Sequence, residues 1–166
     1  MSTIDSTLTS FIDIKANSDF SIHNLPYGIF SDTKDSARRA GVAIGDQVLD
    51  LSVLESEGLL SLNGGTYFDQ STLNAFIDSG RDNWTKARTT IQSLLSSDNS
   101  DLRDNADLQK KALFKQVDVT MHLPVQVPGF TDFYSSKEHA TNVGTMFRDP
   151  NNALLPNWTE MPVGYN

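Results

Sequence analysis

Apolar positions in the first third of the chain recur every second residue, and in the middle third every three to four, so strands should precede helices. Residues 1–18 scatter Ile, Leu and Phe among Ser, Thr and Asp, which reads as a flexible arm held to the rest through Phe11 and Ile14. The stretch FSIHNLPYGIF (20–30) mixes apolar residues with Pro26 and Gly28, as a strand interrupted by a turn would. Ser31–Arg39 shows no period and reads as a polar loop. In GVAIGDQVLDL (41–51), Val42 and Ile44 alternate before Gly45-Asp46, with Val48 and Asp50 beyond. Glycine at the first central position supplies the positive φ of a type II′ turn, so a hairpin is expected here. A short apolar stretch, Leu51–Leu62, then runs to a turn at Asn63-Gly64-Gly65.

The period lengthens after residue 70. Ser71 is placed to cap a short helix through Leu73, Phe76 and Ile77, with Gly80 as its stop. A second helix, Asp82–Ser96, carries Trp84, Ala87, Arg88, Ile91, Leu94 and Leu95 at helical spacing. Asp98–Asp104 reads as a polar turn, and a third helix, Asn105–Gln116, buries Leu108, Ala112 and Leu113. Met121–Pro124 reads as extended, because the residue before a proline avoids the helical region. The cluster of proline and glycine in Val125–Phe130 suggests a boundary, with residues 19–124 as one domain and 125–166 belonging to another.

Charge narrows the partners. Thirteen basic against twenty-one acidic residues give a net charge of −8, a surface that repels phosphate backbones and anionic lipid, so neither nucleic acid nor membrane is expected. The chain has no cysteine, hence no disulfide framework and no thiolate metal site, which fits the cytoplasm. No window has the roughly twenty apolar residues of a membrane span. The sequons at Asn83 and Asn157 read as chance matches.

Reactive side chains concentrate in TDFYSSKEHATNVGTMFR (131–148). Ser135 and Glu138 form a capping-box pattern, so a helix should begin here with Ala140, Val143, Met146 and Phe147 on one face. His139 would lie in its first turn, where the positive end of the helix dipole disfavours a cationic ring and leaves the imidazole able to accept a proton. Asp132 and Tyr134 are two apart in extended chain and so point the same way. Each residue also has an ordinary reading: Asp132 as a surface cap, Tyr134 as framework, His139 as packing, Arg148 as a cation at a helix C-terminus. A serine hydrolase is disfavoured, since no G-x-S-x-G occurs and Ser135 is taken as the cap. One good carboxylate does not make a hard-cation site.

The block DFYSSKEHATNVGTMFR, with NALLPNW and PVGY after it, resembles the fumarylacetoacetase family of C–C bond hydrolases. The resemblance extends upstream through NLPYGIF, GVAIGDQVLDLSVL, STLNAFI, LRDNADL and TMHLP, covering nearly all of residues 19–166. It implies an α+β chain: a small SH3-like β-barrel domain with added helices, then the start of a β-rich catalytic domain. The implied reaction is hydrolysis of 4-fumarylacetoacetate to fumarate and acetoacetate, the last step of tyrosine and phenylalanine catabolism. Asp132 corresponds to a carboxylate that helps hold Ca2+ or Mg2+. His139 corresponds to the base that activates water, and Tyr134, Arg148 and Tyr165 to residues contacting substrate. The family's further metal ligands, the glutamate orienting the histidine and the basic residues stabilising the leaving enolate fall beyond Tyr165. Histidine is expected at 166, where this chain has asparagine. The expectation is therefore an N-terminal portion of a homodimeric enzyme, inactive alone and weak in binding calcium. Two rivals are a non-catalytic interaction or dimerisation module of the same descent, and a hydrolase of another β-dicarbonyl acid.

Overall fold

The computed structural model of the chain describes residues 6–161 and 164–165. They fall into two compact units, one ending at Gln126 and one starting at Val127. In the first unit the strands are β1 (Tyr27–Asp32), β2 (Arg39–Ile44), β3 (Gln47–Asp50), β4 (Leu113–Lys115) and β5 (Val119–His122). All pair antiparallel in the order β4-β3-β2-β1-β5. The two edge strands are joined only by a 3-10 turn at Gln116–Asp118. Four residue steps reach at most about 14 Å, whereas five flat strands would hold their edges about 19 Å apart, so the sheet must curl. Its curl brings Phe30 of β1 and Phe114 of β4 to 5.6 Å between ring centroids.

The expected hairpin is present, with Val42 opposite Leu49 and Ile44 opposite Gln47. Gly45 has φ 57° and no non-glycine described residue has positive φ, which gives the turn the positive-then-negative pattern of type II′. Within the expected arm, Ile12 is buried in the core, Phe11 and Ile14 pack against it, and Phe11 N–H donates to Leu95 O at 3.3 Å. Residues 1–5 lie outside the described part.

Helices α1 (Leu51–Ser56), α2 (Asn74–Asp78), α3 (Arg81–Leu95), α4 (Ser100–Arg103) and α5 (Ala106–Ala112) complete the unit. The buried face of α3 is Asn83, Ala87, Ile91, Leu94 and Leu95. Trp84 stands instead at the rim, 43% exposed, with its indole N–H on Phe76 O. Asn83 takes the inward place because its amide bonds both the N–H and the C=O of Asn63.

Two local expectations give way to tertiary bonding, and two further segments become helical on local caps. Ser71 caps nothing: the free N–H of Leu73 at the start of α2 is met by Pro124 O at 2.8 Å. The third helix stops at Ala112, because Leu113–Lys115 pairs with the edge of β3. A helix, α1, occupies the start of the 51–62 stretch, capped by Asp50, whose carboxylate accepts from the N–H groups of Ser52 and Val53. The expected polar turn after residue 98 contains α4, capped by Asn99.

Arg39, at the edge of the expected loop, is buried and ion-paired to both Asp32 and Asp50. Its guanidinium also lies over the rings of Phe30, at 4.5 Å, and Phe114, at 5.1 Å. Burial alone would raise the Asp32 pKa, but hydrogen bonds from Arg39 and from the N–H groups of Lys34 and Asp35 outweigh it and hold the carboxyl below its usual range. A depressed folded-state pKa contributes stability above the unfolded value and loses it as pH falls through the lowered one. Urea unfolding midpoints should therefore fall as pH is lowered from about 5 to about 3. Asp32→Asn should flatten that fall, and an unchanged slope would show that this carboxylate does not carry it.

Candidate active site

The second unit contains β6 (Asp132–Phe133), α6 (Lys137–Phe147), α7 (Pro156–Glu160) and β7 (Gly164–Tyr165). Its described strands are two residues each, and they pair Asp132 with Tyr165 and Phe133 with Gly164. Among the described residues of this unit only Gly144 and Ala153 are buried.

The helix begins one residue later than the capping-box pattern predicts. Ser136, not Ser135, is the cap, and its hydroxyl accepts from the backbone N–H of His139 at 3.2 Å while donating to Glu138. That shift leaves Glu138 one position short of a reciprocal box, where its own backbone N–H and the Ser136 hydroxyl hold its carboxyl below the usual range. His139 lies in the first turn, and its ring sits against that of Tyr134, with centroids 5.3 Å apart and planes at 30°.

At the other end Arg148 closes α6, its backbone N–H donating to Gly144 O at 2.9 Å. Asp149 then caps a 3-10 turn, Pro150–Asn152, by accepting from Asn151 N–H at 2.8 Å. The turn brings Ala153 back over the helix, where its carbonyl accepts from a terminal N–H of Arg148 at 3.3 Å. Pro156 opens α7, which suits its missing N–H, and α7 carries Trp158. The Trp158 indole N–H donates to Tyr134 O at 3.0 Å, tying α7 to the segment before α6.

These elements enclose a cavity of about 280 Å³. Tyr134, Arg148 and Tyr165 line it together, with Phe147, Trp158 and Gly144 among their neighbours. Asp132 lies across the ladder from Tyr165, so the two side chains share a face of the strand pair. His139 reaches the cavity only through its contact with Tyr134. Among the described residues no group of three or more His, Cys, Asp or Glu could hold a metal ion, so Asp132 is not part of such a cluster here. No helix among the described residues is long and apolar enough to cross a membrane. Pro162, Val163 and Asn166, including the position where histidine was expected, lie outside the described residues.

The family model described as Fumarylacetoacetase N-terminal matches residues 23–124. The fumarylacetoacetase of Caenorhabditis elegans is 53% identical over 161 residues, 96% of this chain and 38% of the relative. Those of Homo sapiens and Dictyostelium discoideum are 51% identical over 159 residues and 50% over 163, covering 95% and 97% of this chain and 38% of each relative. The chain belongs to the fumarylacetoacetase family. It spans 38% of the length of these fumarylacetoacetases, and the aligned part reaches across both units.

Within this member of the fumarylacetoacetase family, residue chemistry pointed to Asp132, Tyr134, His139 and Arg148 as one dense group. It did not single out Trp158, Gly144 or Ala153, which shape the cavity. The signal for Ala153 and Trp158 was the NALLPNW block, whose proline marks a helix start but whose fold-back onto α6 depends on contacts invisible in the sequence; Gly144 stood unremarked inside the 131–148 block.

Proposed function

We propose that this chain is the N-terminal portion of a cytoplasmic fumarylacetoacetase, hydrolysing 4-fumarylacetoacetate to fumarate and acetoacetate as a homodimer. The observation that carries the reading is the 53% identity across 96% of the chain, which runs through the cavity-lining stretch. The first unit is read as an SH3-like barrel with added helices; what supports this is the curled antiparallel order with its edges joined by a single turn.

His139 is the base. Held at the start of α6, its imidazole accepts a proton from a water molecule, and the water oxygen bonds to a substrate carbonyl carbon. The C–C bond to the acetoacetate half then breaks, its electron pair leaving as an enolate that is afterwards protonated, while the other half leaves as fumarate. Arg148 binds a substrate carboxylate: one terminal nitrogen is held by Ala153 O, and its remaining N–H groups form a fork to an anion. Tyr134 and Tyr165 line the same cavity and are assigned to substrate contact. Asp132 is assigned as one ligand of Ca2+ or Mg2+. A hard cation takes six or more oxygens, and the described residues offer no such group, so they do not fit a closed metal site by themselves.

The test grafts this chain in place of the matched region of the Caenorhabditis elegans relative. The graft should convert fumarylacetoacetate to fumarate and acetoacetate, followed by proton magnetic resonance, while the 166-residue chain alone should not. A folded graft without turnover would instead support the non-catalytic module, and turnover by the chain alone would show that its site is already complete. A graft that prefers another β-dicarbonyl acid would reassign the substrate.

A further inference from the structure

We propose that Gly144 is a positioning residue for the substrate carboxylate, acting through Ala153 and Arg148. This rests on the reading of the cavity given above. Gly144 sits inside α6, where glycine is disfavoured relative to alanine, and it does not have the positive φ that would justify glycine on conformational grounds. Close approach justifies it. A Cβ at this position would fall on the Ala153 carbonyl oxygen, and would lie 2.8 Å from the carbonyl carbon and 3.3 Å from Ala153 Cα. All three atoms are backbone, so no rotamer change relieves the overlap.

The displaced group is the one that orients Arg148. Ala153 O accepts from one terminal nitrogen of the guanidinium at 3.3 Å, and Gly144, Arg148 and Ala153 line the same cavity. The sequence of causes is short. The bare face of the helix admits the carbonyl, the carbonyl fixes one edge of the guanidinium, and the other edge is left as a preorganised fork for a carboxylate. A side chain at 144 would push the 150–153 turn outward and turn that fork away from the anion.

In the graft, Gly144→Ala should raise KM for fumarylacetoacetate by about tenfold or more, because misplacement by about an ångström is costly to a positioned contact. The same substitution should leave kcat within about twofold, because the base does not touch this turn. In an Arg148→Lys background the KM effect of Gly144→Ala should vanish, since the fork it positions is already gone. An unchanged KM, a fall confined to kcat, or an equal KM rise in the Arg148→Lys background would overturn the proposal. If Gly144→Ala does not fold, Asp149→Ala loosens the same turn without adding an atom to the helix. It should raise KM in an Arg148-dependent way, and no rise overturns the proposal. An inactive native graft would sink the proposed function instead. Gly144 is then judged in the 166-residue chain by titrating fumarate against the Arg148 side-chain N–H resonance. Saturation at about tenfold higher fumarate in Gly144→Ala supports the positioning role, and equal saturation or no binding overturns it.

Discussion

His139→Ala in the graft should lower kcat for fumarylacetoacetate by about 10²–10⁴-fold, the range that general-base catalysis supplies. KM should change little, because the substrate contacts assigned above come from Tyr134, Arg148 and Tyr165. Alanine removes the only group in the first turn of α6 proposed to accept the proton, and the Ser136 cap stays, because it bonds the backbone N–H of residue 139 and not its ring. The helix should therefore persist, as backbone amide signals can confirm. The ring contact with Tyr134 is lost at the same time, so His139→Phe serves as the control that keeps an aromatic neighbour without a proton acceptor. Both variants should be equally slow. Retention of near-native kcat by either would exclude His139 as the base.

Arg39→Ala should destabilise the first unit by about 3–5 kcal/mol, as removal of one partner from a buried ion pair does. Two carboxylates, Asp32 and Asp50, then face a buried space without their common cation, and Phe30 and Phe114 lose the guanidinium lying over both rings. Asp50 is also the cap of α1, so the loss spreads from β2 to the helix that follows β3. Urea unfolding of the 166-residue chain measures this directly. A loss under about 1 kcal/mol, the size typical of an exposed pair, would show that the network is solvated in solution. Arg39→Lys should recover only part of the loss, because an ammonium cannot reach both carboxylates with a planar fork.

Much of the arrangement was legible from local pattern. The alternation around Gly45-Asp46 specified its hairpin, because a turn that accepts positive φ at its first central residue depends on those residues themselves. The spacing of Ala87, Ile91, Leu94 and Leu95 specified the buried side of α3 for a similar reason, since helical periodicity is local. Two misses share a cause. Ser71 and the end of the third helix were judged from neighbours in sequence, while the deciding partners were Pro124 O for Leu73 and the β3 edge for Leu113–Lys115; the shift of the cap from Ser135 to Ser136 is local, through the bond to His139 N–H.

For function, the sequence alone determined the dense group in 131–148 and the family resemblance that gives it meaning, because residue identity and order suffice for both. Tertiary structure alone decided that Tyr134, Arg148 and Tyr165 share one cavity, that Trp158 holds the Tyr134 backbone, and that Gly144 must lack a side chain. It also decided that Asp132 faces Tyr165 and belongs to no cluster of three ligating side chains among the described residues. The physical reason is range: caps, turns and periods are set by bonds within a few residues, whereas a cavity is made where distant backbone folds back. Here that point is a single carbonyl, at Ala153, resting on a helix face left bare for it.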